Sequence, residues 1–305
     1  MSEQPTPLGP DSLTWKYFGD WRGLLLALWA GSMQNMHPQL GAGVEQHSGF
    51  FDERWQRLFR SLYPIGGVVY DGPRAVRTAR EVRGYHDAVR GIDRHGRPYH
   101  ALEPETYFWA HATFLMMPVL IAEHFGEPLT EQQKRRLYAE GVQWYRLYGV
   151  SMRPVPPDWD SFQRYWEHMC TEVLEVNQAT RDVLDISGLG KPPLLRMLPD
   201  PLWRLLRIPI GRGFVWLTTG VHPEPVRRKL GTRWTRRDEL ALRVLGRTIA
   251  VLWRLVPFDY RYHPRARAGW RRARGGPDRG VETPDRNLPP ADERDDPKHY
   301  VPHRR

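Results

Sequence analysis

One histidine of this chain lies between two arginines in a stretch whose pattern predicts a helix. In the segment EVRGYHDAVRG, Arg83 precedes His86 by three residues and Arg90 follows it by four. Apolar residues at three- and four-residue spacing put the histidine on one helical stripe: Val76, Ala79, Val82, His86 and Val89. We therefore expect His86 to point into apolar surroundings, with a guanidinium group about one turn away on each side.

Such surroundings would suit a haem group. A neutral imidazole can bind iron, an apolar wall accepts the porphyrin, and cations near its edge can pair with the two propionates. The alternative is a core histidine that is hydrogen-bonded to a carbonyl group and flanked by solvated arginines, since most buried polar groups are simply satisfied ones. The pattern alone leaves both interpretations open.

A second histidine, His111, is the alternative metal ligand. It lies in TYFWAHATF, and apolar or aromatic residues lie one turn away on both sides: Tyr107, Phe108, Phe114 and Leu115. It has no arginine one turn away, so packing in the core is an equally open role. His37 precedes a proline and His47 follows a Gly-rich connection, and both are expected to be capping or turn residues.

A cationic ridge is predicted in RWQRLFRS, where Arg54, Arg57, Arg60 and Ser61 fall within two helical turns. Such a ridge is most often a solvated face. It could instead line a polar wall above a cofactor, where guanidinium donors would stabilise dioxygen or a developing oxyanion. The sequence contains no phosphate-binding glycine loop, His-Glu-x-x-His, Gly-x-Ser-x-Gly or EF-hand loop, which leaves hydrolase, kinase and dinucleotide-dehydrogenase functions without support.

The elements that must position these residues are all predicted to be helices. No segment shows convincing alternation with a period of two, and no Asn-Gly hairpin signal occurs. Residues 92–104 are expected to form a loop, with Gly96 and Pro98 as its turn residues. Helices are predicted over residues 12–33, 52–63, 73–90, 104–125, 131–149 and 236–255, from residue 158 or 161 onward, and in short pieces at 202–206 and 214–217.

Composition and charge predict one globular domain with flexible ends. The core is expected to be rich in flat side chains, because the chain has 13 Trp, 13 Tyr and 10 Phe. We predict a flexible arm over residues 1–11, a helical domain over 12–260 and a disordered basic tail over 261–305. That tail carries half of the net charge of +10, with 12 Lys and Arg against 7 Asp and Glu.

The same composition excludes several cellular and chemical roles. Cys170 is the only cysteine, so a disulfide framework and a cysteine-rich metal site are ruled out within the chain, and a reducing cytoplasm fits. The first residues lack the pattern of a signal peptide, and the uncharged stretch over residues 23–36 is too short to span a membrane. We expect no nucleic-acid partner, since no binding motif accompanies the charge; the basic tail could touch a membrane surface weakly.

Taken in order, these segments resemble the bacterial latex clearing proteins, or rubber oxygenases, and the fungal mpaB-type oxygenases. The resemblance covers roughly residues 19–185. It rests on Gln34-x-x-His37-Pro38, on RWQRLFRS, on VRGYHDAVRG, and on a stretch from Tyr99 to Thr113 that is similar to YxAxxPExxxWxHAT. It implies a single all-α domain around a buried haem pocket.

The resemblance also implies roles for particular residues. In that family an Arg-x-x-His-x-x-x-Arg helix supplies the proximal ligand of haem b, and Arg83, His86 and Arg90 match it. An Arg-x-x-Lys-Thr element lies on the distal side, and Arg57, Arg60 and Ser61 correspond to it as catalytic residues. Lysine can lose a proton and cap the iron, whereas arginine stays protonated. Arg60 therefore implies an open or water-capped distal face and makes rubber-type cleavage doubtful.

The expected function is a haem-b-dependent oxygenase that uses dioxygen on a small or medium apolar substrate, alkene-like or isoprenoid-like. Two alternatives remain open. One is a haem-binding sensor or carrier without turnover, which is compatible with the loss of the distal lysine. The other is a cofactor-free helical interaction protein, in which His86 and His111 are core residues and the basic tail does the recognising.

Overall fold

The computed structural model describes residues 5–48, 53–187, 190–192, 195 and 197–294, and its regular structure is almost entirely helical. The predicted all-α single domain is confirmed. The helices are α1 (Leu13–Tyr17), α2 (Ala27–Asn35), α3 (Pro38–His47), α4 (Arg54–Tyr70), α5 (Ala75–Gly84), α6 (Pro104–Phe125), α7 (Glu131–Leu147), α8 (Trp159–His168), α9 (Gln178–Leu184), α10 (Asp200–Val221), α11 (Glu224–Lys229), α12 (Arg236–Trp253), α13 (Phe258–Arg261) and α14 (Pro264–Ala273). Short 3-10 turns, one of them at Trp21–Leu26, and a π turn at Met169–Val173 lie between them.

The two strands form a hairpin that the sequence analysis missed. β1 (Arg90–Ile92) pairs antiparallel with β2 (Pro98–His100), with Arg90 opposite His100. The connecting turn is built around Asp93, whose carboxylate accepts hydrogen bonds from the backbone N–H groups of His95 and Arg97, each at 2.9 Å. The predicted loop over residues 92–104 is therefore wrong at Ile92 and over Pro98–His100, because a side-chain turn replaces the Asn-Gly signal.

Helix α6 runs through the centre of the molecule and is buried along most of its length, with α2, α7 and α12 packed around it. The core is aromatic, as predicted. Four tryptophans are at most 2 % exposed: Trp15, Trp29, Trp109 and Trp144. Three of the four indole N–H groups donate hydrogen bonds, and that of Trp109 donates to the Met33 carbonyl at 2.9 Å. The core thus joins α1 and α2 to the centre of the domain.

A buried carboxylate of helix α7 accepts hydrogen bonds from the N-terminal end of helix α1. Glu140 of α7 accepts hydrogen bonds from the backbone N–H groups of Leu13 at 3.1 Å and Thr14 at 2.8 Å. A carboxylate at this end satisfies donors that have no partner within the helix and interacts favourably with the helix dipole. The predicted single helix over residues 12–33 is wrong, since Gly19 and the cap at Asp20 divide it into α1, a 3-10 turn and α2.

The C-terminal region is ordered further than predicted. Helix α14 packs against α4, with Ala266 fully buried and Gly269 so close to Tyr70 that a Cβ atom would lie 2.9 Å from its carbonyl oxygen. Arg265 pairs with Asp71 in the same contact. The predicted start of a disordered tail at residue 261 is therefore wrong, because small residues let α14 dock. Residues 295–305 lie outside the described residues.

Several predicted helix ends also shift. Helix α4 continues through Pro64 to Tyr70 instead of ending at residue 63, and α10 is one helix of 22 residues where two short ones were predicted. Helices α6, α7 and α12 lie within a few residues of the prediction. Within the part of the chain that the structure describes, no helix is both long and apolar enough to cross a bilayer.

Candidate functional site

His86 lies in the turn that follows α5, so the predicted helical stripe ends before it. Helix α5 buries Ala75, Thr78, Ala79 and Val82 and ends at Gly84. The chain then makes consecutive turns, and the N–H of His86 donates to the Arg83 carbonyl at 3.0 Å. The predicted continuation of this helix to residue 90 is wrong. Val89 is buried in a separate small cluster with Ala42 and Tyr99.

The imidazole of His86 is held in one orientation. Its Nδ1 lies 2.9 Å from the carbonyl oxygen of Val82. A carbonyl can only accept, so Nδ1 carries the proton, and the lone pair of the neutral ring is on Nε2. A backbone carbonyl bonded to one ring nitrogen fixes the tautomer and the ring orientation, an arrangement that is found in metal-binding histidines and in core histidines alike.

The surroundings of His86 favour its neutral form. Burial of the ring lowers the pKa of His86; the bond to Val82 opposes this effect, and the positive charge of Arg57 adds to the lowering. The ring of Tyr107 meets the imidazole edge-on, with centroids 5.5 Å apart. Burial raises the pKa of the Tyr107 hydroxyl well above its ordinary value, and the charge of Arg83 opposes that rise.

The two flanking arginines take different positions. Arg83 lies in the last turn of α5 and is exposed, whereas Arg90 begins β1 and is exposed at the hairpin. Arg90 lines an open cavity of about 440 Å³, together with Gln39, Pro98, Tyr99, His100 and Glu103. This cavity lies next to the His86 turn, because Nε2 of His100 bonds to the carbonyl of Asp87 at 3.0 Å. His47 makes a similar bond to the Arg90 carbonyl.

Helix α4 brings one of the predicted arginines to His86 and holds another elsewhere. Arg57 is partly buried and close enough for its charge to act on the imidazole. Arg60 is only 4 % exposed; it pairs with Glu53, and Nη1 donates to the Asn287 carbonyl at 3.0 Å. Ser61 is exposed. The three predicted catalytic residues, Arg57, Arg60 and Ser61, therefore lie in three different environments.

His111 lies in a different place, between α6 and α7. Its Nε2 bonds to the Gly141 carbonyl at 2.9 Å, and Nδ1 is buried without a hydrogen-bond partner. Burial lowers the pKa of His111 to about 4. The rings of Trp144, Tyr145 and Tyr148 surround it, with centroids 4.7 to 5.9 Å away. This histidine connects two closely packed helices.

Sequence reasoning missed three partners of the predicted site residues: Tyr107 against His86, and Glu53 and Asn287 on Arg60. Tyr107 was visible as a member of the aromatic stripe before His111, but the pattern could not show that it faces the turn that follows α5. Asn287 is 227 residues from Arg60, and no local signal connects them. Over the described ranges, no group of three or more His, Cys, Asp or Glu side chains could hold a metal ion.

Comparison with protein-family models matches residues 15–251 to the family described as ER-bound oxygenase mpaB/B'/Rubber oxygenase, catalytic domain. No curated protein and no solved structure shows significant similarity to the chain. The match covers more than three quarters of the 305 residues, and it includes both the His86 turn and helix α4. The chain therefore belongs to the mpaB/rubber-oxygenase catalytic-domain family.

Proposed function

We propose that this oxygenase-family chain binds haem b through His86 and uses it with dioxygen to oxidise an apolar, alkene-bearing substrate. The observation that carries the proposal is the family match over residues 15–251, which includes the His86 turn; it is supported by the hydrogen bond from Nδ1 of His86 to the Val82 carbonyl. This hydrogen bond fixes the tautomer that offers Nε2 as a metal ligand, and burial keeps the ring neutral. A neutral imidazole in a fixed orientation is what an iron ligand requires.

The residues around His86 fit a porphyrin better than a bare metal ion. The described residues offer no cluster of three or more protein ligands, and a porphyrin would supply four of its own. Arg83 and Arg90 are exposed on either side of the histidine and could pair with propionate groups. Tyr107 supplies an aromatic wall beside the imidazole.

The geometry favours His86 over His111 as the ligand. Nε2 of His111 is committed to the Gly141 carbonyl, at a contact where a Cβ atom on Gly141 would overlap the side chain of Leu115. A macrocycle would have to separate α6 from α7 to reach Nδ1. His86 lies in the turn that follows α5 and is half-buried, and its bond to Val82 uses Nδ1 and leaves the lone pair on Nε2.

When bound, the haem would supply the binding and reductive activation of dioxygen. The chain's own residues would do the rest. His86 would hold the group through one ligand bond, and Tyr107 would exclude water from one side of the imidazole. Arg57 stays protonated and can donate hydrogen bonds to an anionic oxygen, but it cannot serve as a base.

The position of Arg60 also favours a second candidate, a haem-binding carrier or sensor without turnover. An arginine cannot replace the distal lysine as a ligand, and this one is engaged with Glu53 and Asn287. Dioxygen consumption separates the two functions. Uptake with isoprenoid alkenes and a reductant supports the oxygenase, whereas haem binding without uptake supports the carrier.

The test is the visible absorption spectrum of protein produced with haem, compared with that of His86→Ala. We expect a Soret band in the wild type, its loss in His86→Ala and its partial return with added imidazole. His95→Ala is the control, because His95 is an exposed histidine paired with Glu175. Circular dichroism verifies that each variant is folded. A band that survives in His86→Ala would contradict the assignment, and a folded wild type without a band would end the haem proposal.

A further inference from the structure

Helix α12 carries an exposed stripe of aliphatic side chains along its outer face. Leu240 and Val251 are each 61 % exposed, Val244 is 57 % exposed and Leu255, just beyond the helix, is 78 % exposed. Their spacings of four, seven and four residues put them on one side of a helix. From Leu240 to Leu255 the stripe is about 22 Å long at 1.5 Å per residue.

The stripe cannot turn inward, because the opposite side of α12 is fixed. Leu242 is buried, and Gly246 lies so close to the His124 carbonyl of α6 that a Cβ atom would overlap it. Trp253, at the end of α12, donates from Nε1 to Asp20 at 3.1 Å. The outer face is therefore held towards solvent by contacts at the middle and the end of the helix.

Positive charge borders the stripe. Arg237 precedes Leu240 by one turn, and Arg247 lies one turn from both Val244 and Val251. Among the described residues, neither arginine has a carboxylate within salt-bridge distance. A third arginine, Arg254, lies one turn after Val251 and pairs with the exposed Glu127 at 2.7 Å.

The two acidic residues of α12 take part in hydrogen bonds and an ion pair within the chain. Asp238 accepts hydrogen bonds from Trp216 at 3.0 Å and from the Thr235 cap. Glu239 accepts one from Trp234 at 3.0 Å and pairs with Arg243. Both acids lie in the first turn of α12, so between Val244 and Val251 the charged residue of the helix is Arg247.

We propose that α12 lies in the interface of a membrane rich in anionic lipids, with the aliphatic stripe among the upper acyl chains and the arginines at the phosphates. An amphipathic helix with aliphatic residues on one face and arginines beside them suits this position. Tyr260, 72 % exposed five residues after Leu255, adds an aromatic side chain of the kind that is enriched at membrane interfaces. The contact is peripheral, and it does not depend on the proposed oxygenase function.

Flotation of the full chain with vesicles tests this proposal. We expect binding to vesicles of phosphatidylcholine with 30 % phosphatidylserine, and weak binding to phosphatidylcholine alone or at high salt. Val244→Glu with Val251→Glu should lower the partition coefficient by roughly tenfold or more. Arg237→Gln and Arg247→Gln should each lower it by about fivefold on anionic vesicles at low salt.

The matched control is Ile92→Glu, since Ile92 is as exposed as Val251 but lies on the hairpin. It should bind vesicles as the wild type does, and circular dichroism should show every variant folded. An equal loss in Ile92→Glu would overturn the proposal. The proposal would also be overturned if the wild type did not bind vesicles but formed a dimer, and the variant with Val244→Glu and Val251→Glu was a monomer. The stripe would then be a contact between two copies of the chain. Vesicle binding requires no haem, so a failed Soret test leaves this outcome unaffected.

Discussion

The ion pair between Arg265 and Asp71 offers a direct test of whether α14 is part of the fold. Nε and Nη2 of Arg265 bond to the two carboxylate oxygens at 2.9 and 2.5 Å, and Nη1 donates to the Tyr63 carbonyl at 3.0 Å. The two side chains are 15 % and 8 % exposed. Arg265→Ala would leave the buried Asp71 carboxylate without its counter-ion.

The expected cost follows from that burial. Removal of one partner of a buried pair costs about 3–5 kcal/mol, because the remaining charge stays in poorly hydrated surroundings. An unfolding entropy of about 2.1 cal/mol/K per residue means that 305 residues lose about 1.6 °C of Tm for each kcal/mol. We therefore expect Arg265→Ala to lower Tm by about 5–8 °C.

Urea and thermal unfolding, followed by circular dichroism, measure this change. Arg271→Ala is the control, because Arg271 is an exposed arginine of the same helix, and its effect should stay within about 0.5 kcal/mol. Arg265→Met combined with Asp71→Asn should cost less than the sum of the two single changes, since they share a contact. A loss below about 1 kcal/mol in Arg265→Ala, or one equal to that of Arg271→Ala, would refute the docking of α14 through this pair.

Two further predictions concern buried groups. Burial is the first cause of a lowered pKa, to about 3 or 4, in four histidines: His37, His111, His222 and His263. Their pKa in the unfolded chain is about 6.5, so below that pH the unfolded chain binds more protons than the folded chain. The free energy of unfolding therefore has its full value above pH 6.5. It should fall towards pH 4 by up to about 1.4 kcal/mol per pH unit for each histidine. A urea midpoint that does not change between pH 7 and 5 would contradict this. Gly141→Ala should cost about 1–3 kcal/mol, because a Cβ atom at this position overlaps Leu115. Gly213→Ala, in open space on α10, should stabilise the fold by about 0.5–1 kcal/mol. Equal effects of the two changes in chemical denaturation would show that α6 and α7 are not so tightly packed.

The sequence predicts the fold best where local signals are strong. Helix α7 begins at a Thr130–Gln133 capping box, and α12 begins at the equivalent box from Thr235 to Asp238, so both starts were predictable. Helix α4 was predicted to end at Pro64 because proline usually stops a helix. It continues because Gly67 and the following residues pack against α14, and this tertiary contact outweighs the local preference.

The candidate site was predictable in its residue types but not in its geometry. The spacing of Arg83, His86 and Arg90 suggested one helical face, yet Gly84 ends α5 and places Arg90 on a strand. The partner of His86 is a main-chain carbonyl four residues earlier, which no sequence pattern specifies. Arg60 was expected beside Arg57, but Glu53 and the distant Asn287 bind it.

The Asp71 carboxylate has a consequence that reaches both helices of the candidate site. Asp71 directly follows α4, the helix that carries Arg57. Its carboxylate accepts a hydrogen bond at 2.8 Å from the hydroxyl group of Thr78 in α5, the helix that leads to His86. Arg265 binds the same carboxylate from α14, beyond residue 251, where the family match ends. Under the proposed haem binding at His86, any factor by which a docked α14 raised the ligand affinity would appear equally as added protection of α14 against hydrogen exchange in the presence of the ligand.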